Sequence, residues 1–180
     1  DVARAAMASA ARVEGVLAVV VRELNDTIAQ KNDPAHLALL ADNFVVPTQT
    51  RSDLVAGYRG TPIKIVVIAR QGRTEAVEAA LSATLQGHAR AVITSSMTVE
   101  VVATGVSKAR PILRVLRSRG LRPEETLVFG DGDNDVEMLS QVGIGLAMGN
   151  CRPAACRAAS RQIGDHDTDA IAESIESLAL

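Results

Sequence analysis

Val128-Phe129-Gly130-Asp131-Gly132-Asp133-Asn134-Asp135 is the stretch on which the reading of this chain turns. It opens inside a short apolar run, Thr126 to Phe129, which reads as a buried strand. Glycines that let the backbone turn tightly come next, and Asp131, Asp133 and Asp135 fall within five residues of one another. Downstream, a short helix through Met138 and Leu139 leads to a second buried strand, Gly145 to Met148. A helix from Arg152 to Ser160, with Asn150 as a candidate cap, and a last helix from Asp169 to Leu178 complete the chain. Upstream, Lys108 to Arg119 reads as a helix with Ile112, Val115 and Leu116 turned inward, Ser107 as a candidate N-cap and Gly120 at its end. Helices alternating with short buried strands imply a parallel α/β sheet with crossover helices. Ligands of such sheets bind at the carboxyl ends of strands, where this acidic loop lies.

Carboxylates crowded at a strand end repel one another unless a cation neutralises them. An oxygen-only set suits a hard ion, Mg²⁺ first, with Ca²⁺ or Mn²⁺ as alternatives. An EF-hand starting at Asp131 fails on spacing, because Val136 and Val142 stand where Gly and Glu are needed. A dinucleotide-binding G-x-G-x-x-G is not met here or at Gly143-Ile144-Gly145. A solvated turn whose Asp and Asn side chains cap the following helix is the plain alternative.

Ahead of residue 104 the rhythm differs. Ile63 to Ala69 is β-branched and reads as a strand. Thr74 to Gln86 reads as a helix capped by Thr74, ended by Gly87 and buried along Val77, Ala80, Leu81 and Thr84. Ala89 to Thr94 and Thr98 to Ala103 read as two more strands, making an α+β unit. Residues 1–30 favour helix, with a strand at Val16 to Val21; Asn32-Asp33-Pro34 marks a turn, and Phe44 to Pro47 reads as a short edge strand. The domain division is therefore 1–103 and 104–180.

Composition excludes several classes of function. Among 180 residues, 47% are apolar, enough for a buried core, and 19 basic against 21 acidic residues leave a net charge of −2. Nucleic acid is not an expected partner, because neither a basic face nor a base-stacking aromatic surface can be built; Phe44, Phe129 and Tyr58 are the aromatics. A membrane is not expected either: the longest apolar run, Val16 to Val21, is far short of a span. Two cysteines, Cys151 and Cys156, cannot form a disulfide framework or a cysteine-only zinc site, and they read as helix packing in a reducing, cytoplasmic compartment. His36, His88 and His166 show no ligand spacing and read as surface residues.

The stretch from Gly130 to Leu139, continued by Val142 to Asn150, closely resembles the fourth motif of the haloacid-dehalogenase (HAD) superfamily, in the form carried by Cof-type phosphatases of subclass IIB. Val106-Ser107-Lys108 is similar to that family's third motif, in the right order and at the right spacing. The resemblance implies a partial Rossmann-like parallel core over 104–180, and an α+β cap domain over 1–103. It implies that Asp131 coordinates Mg²⁺ and that Asp135 supports the metal directly or through a water. It implies that Asn134 bonds the phosphate or the nucleophile loop, and that Lys108 neutralises charge between phosphate and nucleophile. Such a set suits phosphoryl transfer, where positioning and charge neutralisation carry most of the catalysis. Asp133 reads as a loop residue.

The family's nucleophile motif, D-x-D after a first core strand, is not found in the sequence; Asp131-Gly132-Asp133 belongs to the fourth motif, and Asp165-His166-Asp167 and Asp167-Thr168-Asp169 follow no buried strand. The expectation is a fragment of a Mg²⁺-dependent phosphatase of small phosphorylated metabolites such as sugar phosphates, inactive by itself, whose exposed sheet edge favours self-association. The alternative is a non-catalytic module that binds a phosphorylated ligand or a partner.

Overall fold

The chain divides into two units, Asp1–Gly105 and Val106–Leu180; the computed structural model describes residues 2–30, 34–42 and 45–178. The first unit runs α1 (Val2–Ala10), β1 (Val16–Arg22), β2 (Thr27–Gln30), α2 (Pro34–Asp42), β3 (Gln49–Arg51), α3 (Leu54–Gly57), β4 (Lys64–Ala69), α4 (Thr74–Leu85), β5 (Ala89–Ile93) and β6 (Thr98–Ala103). Its six strands are ordered β3-β2-β1-β4-β6-β5, antiparallel throughout except for β2 with β3.

The apolar runs of β1 and β4 have one cause. These strands pair at the centre of a sheet that is covered on both faces, so neither face is left polar. On one face Val21, Ile65 and Val67 pack with Met7 of α1 and with Val77 and Leu81 of α4. On the other, Ala18, Val20, Val66 and Ile68 pack with Leu40 and Val45. Towards the edge, β6 alternates, with Val99 and Val101 buried and Glu100 on the opposite face in an ion pair with Lys64 at 2.6 Å.

Several local expectations need correction. Phe44 and the Asn32-Asp33 turn lie outside the described residues, as does the His36 side chain. Val45 to Pro47 forms no strand; the Val45 N–H donates to the Leu40 carbonyl at 2.8 Å and its side chain enters the core. The edge strand is Gln49–Arg51 instead. Thr74 does not cap α4: it is the first helical residue, after Arg73. The buried line of α4 runs Thr74, Val77, Leu81, Leu85, so Thr84 faces out and bonds the Ala80 carbonyl and Ser9. His88 and His166 are exposed, as expected.

The second unit runs α5 (Ala109–Ser118), β7 (Leu127–Gly130), α6 (Val136–Gln141), β8 (Ile144–Ala147), α7 (Pro153–Ala158), β9 (Arg161–Gln162) and α8 (Ala170–Leu178). Its sheet, β7-β8-β9, is parallel throughout. The β9 strand was not legible in sequence; it is two exposed residues long. Helix α5 begins one residue later than expected, which places Pro111 within the first turn, where its missing N–H would have had no intrahelical partner. Its packed stripe is Ala109, Ile112, Leu113 and Leu116; Val115, expected inside, is 56% exposed. Among the described residues, no helix is long and apolar enough to cross a membrane.

Tyr58, the only tyrosine, is 2% exposed in the first unit, and its hydroxyl donates to Glu23 at 2.6 Å. Burial, then the hydrogen bond and charge of Glu23, push the phenol pKa up, with Arg51 opposing. Above about pH 10 the unfolded chain loses this proton while the folded chain keeps it, so Tyr58 makes stability fall as pH rises. The near-ultraviolet tyrosinate absorbance of the folded protein should therefore titrate above pH 10 and shift down in urea. A midpoint at the free-tyrosine value in the folded protein would contradict the Tyr58–Glu23 bond.

Candidate active site

The acidic loop is organised around a carboxylate that is not exposed. The chain leaves β7 at Gly130, makes a 3₁₀ turn over Asp133–Asp135 and enters α6. That turn folds the Asp135 side chain back towards the strand end, where the residue is 2% exposed. Its Oδ2 accepts the backbone N–H groups of Asp131 at 3.0 Å and Gly132 at 3.1 Å. Its Oδ1 accepts the Lys108 ammonium at 2.5 Å. Lys108 stands just ahead of α5, 27 residues earlier in the chain, and its side chain is half exposed. Ser107 contributes its Oγ as a long acceptor for the Arg110 N–H at 3.4 Å.

Close approach at the strand end requires glycine. A Cβ on Gly130 would lie 2.6 Å from the Asp135 Cβ, and one on Gly132 would lie 2.5 Å from the Asn134 amide oxygen. Asn134 is half-buried in the same turn.

A second set of residues braces the loop from α7 and the turn that precedes it. Parallel pairing of β7 with β8 sets Gly130 against Ala147 and brings the chain after β8 beside the acids. Asn150 donates its side-chain N–H to Asp131 Oδ2 at 3.0 Å. The Arg152 N–H donates to the Asp131 carbonyl at 2.8 Å, and its Nε pairs with Asp133 Oδ2 at 2.7 Å. Asn150 is thus not the cap of α7, which starts after Arg152. In the sequence Asn150 carries only a cap signal, Asp133 has no evident partner and nothing marks Arg152. No local spacing links positions 19 residues apart; the parallel strand pairing does.

These contacts distribute the charge unevenly. Asp133 has Arg152 and Asp135 has Lys108, while Asp131 is exposed and receives only a neutral amide at its carboxylate among the described residues. Asp131 therefore holds the carboxylate most open to a cation. Asp135 has three of about four lone-pair directions engaged, so it suits support through a water better than direct ligation. Among the described residues, no group of three or more His, Cys, Asp or Glu side chains is arranged to hold a metal ion. The loop fits one wall of a hard-cation site, as Mg²⁺ commonly takes one or two carboxylates and keeps several waters.

The cysteines depart from the sequence reading. Only Cys156 is helical; Cys151 precedes α7, and Arg152 is extended (φ −65°, ψ 150°), which turns the chain back so that the two sulfurs meet in a disulfide, with Cα atoms 5.6 Å apart. The expectation of mere helix packing assumed both on one helix.

A family model described as haloacid dehalogenase-like hydrolase matches residues 20–175. Pyridoxal phosphate phosphatase YbhA of Escherichia coli (strain K12) is 38% identical over 79 residues, 44% of this chain and 29% of that protein. The 5-amino-6-(5-phospho-D-ribitylamino)uracil phosphatase YbjI of the same organism is 32% identical over 87 residues, 48% of this chain and 32% of that protein. These alignments thus span under a third of the relatives' own lengths. A haloacid dehalogenase-like hydrolase from Bacteroides thetaiotaomicron matches with a TM-score of 0.69 and 25% identity, over 96% of this chain and 64% of that one. SMU.1108c from Streptococcus mutans UA159 matches in fold with a TM-score of 0.82 at 15% identity, over 98% of this chain and 68% of that one. The subclass IIB sugar phosphatase BT4131 does so with a TM-score of 0.78 at 23% identity, over 98% and 65%.

Substitutions should rank by how many donors they strand. Asp135→Ala frees two backbone N–H groups and an ammonium and should cost about 2–3 kcal/mol. Gly130→Ala, which displaces the same carboxylate, should cost as much, and Lys108→Ala, at a half-exposed position, about 1 kcal/mol or less. Urea midpoints give the ranking; Lys108→Ala proving the most damaging would overturn it.

Proposed function

The chain belongs to the haloacid dehalogenase-like hydrolases, and on that premise we propose that it forms part of a Mg²⁺-dependent phosphatase, a phosphoric monoester hydrolase acting on small phosphorylated metabolites such as sugar phosphates. The observation that carries this reading is the Lys108 ammonium fixed on buried Asp135 at the carboxyl end of β7, beside the open carboxylate of Asp131.

In this reading Lys108, Asp131 and Asp135 are the catalytic residues. Lys108 presents a positive charge to the phosphate, and Asp135 keeps that ammonium in place, so no reorganisation is needed as charge develops. Asp131 and Asp135 hold Mg²⁺, Asp131 through its carboxylate and Asp135 through a water. The ion, when bound, neutralises charge on the transferring phosphoryl group. Asn134 orients a phosphate oxygen. The unit Asp1–Gly105 is the cap domain, and the metabolite, not nucleic acid or a membrane, is the partner. Among the described residues β7 lies at the edge of its sheet, and a further strand or a second copy of the chain would pair there. A cytoplasmic location is part of the same proposal, and the Cys151–Cys156 disulfide would there have to be a redox-responsive bond rather than a structural one.

The aspartate that would take the phosphoryl group is not identified in this sequence. The 180-residue chain is therefore proposed to hydrolyse nothing by itself. Purified, it should leave p-nitrophenyl phosphate intact with or without Mg²⁺; Mg²⁺-dependent turnover would refute that. In a protein that carries this chain together with a nucleophile aspartate, Lys108→Ala should lower kcat/KM for a sugar phosphate about 10²–10³-fold, and Asp131→Ala should abolish the response to Mg²⁺. Unchanged kinetics in both would remove the site from the reaction and favour a phospho-ligand-binding role.

A further inference from the structure

Three features stand outside the chemistry described so far: an apolar recess of about 350 Å³ lined by Ala3, Ala6, Pro62, Ile65 and Val101, a recess of about 310 Å³ lined by Arg22, Lys64, Glu100 and Thr98, and the disulfide beside the acidic loop. The disulfide carries an inference furthest, because its position is tied by named bonds to other groups.

We propose that Cys151 and Cys156 form a reversible oxidation site, whose oxidised state locks the brace on Asp131 and Asp133. The five-residue separation closes a small ring. A small ring removes less freedom from the unfolded chain than a large one, so the unit is expected to stay folded when the bond is broken. Both cysteines are only half-buried, within reach of a small reagent.

Inside the ring sits Arg152. Its N–H holds the Asp131 carbonyl at 2.8 Å, its Nε holds Asp133 at 2.7 Å, and its own carbonyl accepts the Cys156 N–H at 3.0 Å. Immediately before the ring, Asn150 holds the Asp131 carboxylate. The Cys151 N–H donates to the Met148 carbonyl at 3.0 Å, at the end of β8. The bond thus fixes the residue that spans both acids to the first turn of α7. In the dithiol the sulfurs separate to non-bonded distance; Pro153 still keeps Arg152 extended, but the covalent tie from the residue before Arg152 to α7 is open.

The oxidant is a low-molecular-weight disulfide. One cysteine thiolate attacks it, expelling one small thiolate and leaving a mixed disulfide. The second cysteine thiolate attacks the protein sulfur of that mixed disulfide and expels the other small thiolate. Two electrons pass from the protein to the reagent, and the two thiol protons go to solvent.

The meaning for catalysis rests on the phosphatase reading, but the chemistry does not, so the test avoids activity. The 180-residue chain is equilibrated with oxidised and reduced glutathione in varied ratio, its thiols are counted by alkylation and mass, and amide exchange is followed by NMR. Titratable thiols should fall from two to none per chain at an intermediate ratio. The Arg152 amide should exchange at least tenfold more slowly in the oxidised form, while amides of β1 and β4 stay the same. Cys151→Ser/Cys156→Ser should match the reduced protein and ignore the glutathione ratio. Thiols that never oxidise, a bond that no glutathione ratio reduces, or an Arg152 amide indifferent to oxidation would each overturn the proposal. Failure of the phosphatase reading would leave all three readouts unchanged.

Discussion

A buried carboxylate that receives three N–H donors is the constraint on which the second unit's site depends. Asp135 gathers the two amides that follow β7 and the ammonium that precedes α5. A buried ionised group is tolerable only when its oxygens are satisfied, and here strand end, turn and helix start each supply a donor. Loop shape and lysine position are therefore a single property. Moving any of the three elements would leave either an unpaired anion or unpaired amides where Asp135 and Gly132 are buried.

Uneven neutralisation follows from the same geometry. Three acids in one turn repel each other, yet two of them have cationic partners from elsewhere in the fold, Lys108 for Asp135 and Arg152 for Asp133. Asp131 keeps an exposed carboxylate with a neutral amide as its partner. The negative charge of the loop is thereby concentrated on a single residue at the strand end, where α/β sheets place their ligands. Arg152 belongs to the ring closed by Cys151 and Cys156, so the stiffness of that partner is linked to sulfur chemistry a few residues away.

Much of this was legible in the primary structure, for a physical reason. Strand–turn–helix signals are local: β-branched and apolar runs marked β4, β6, β7 and β8, and glycines marked the turns. Lys108, Asp131 and Asp135 were picked out by motif and spacing, and the fold brings all three together. Errors arose where a rule of spacing met a competing contact. The stripe of α5 shifted by one residue because Ile112 and Leu113, not Val115, meet the core. Asn150 carried a valid cap signal but follows the strand next to β7, beside an exposed carboxylate that accepts its amide N–H. The two-residue β9 is too short to leave a periodic trace.

The sequence by itself determined the run of elements from β4 to β8, the parallel character of the second sheet, the family, and the residue types available for charge neutralisation. Those depend on local propensity and on periodicity within a few residues, which the chain carries wherever it is read. Tertiary structure alone decided which acid stays open, which cation pairs with which acid, and that Cys151 and Cys156 meet. Each of those outcomes depends on how the chain turns back at Arg152 or on contacts 19 or 27 residues apart, which exist only once β7 and β8 lie side by side and α5 and α7 have packed against α6.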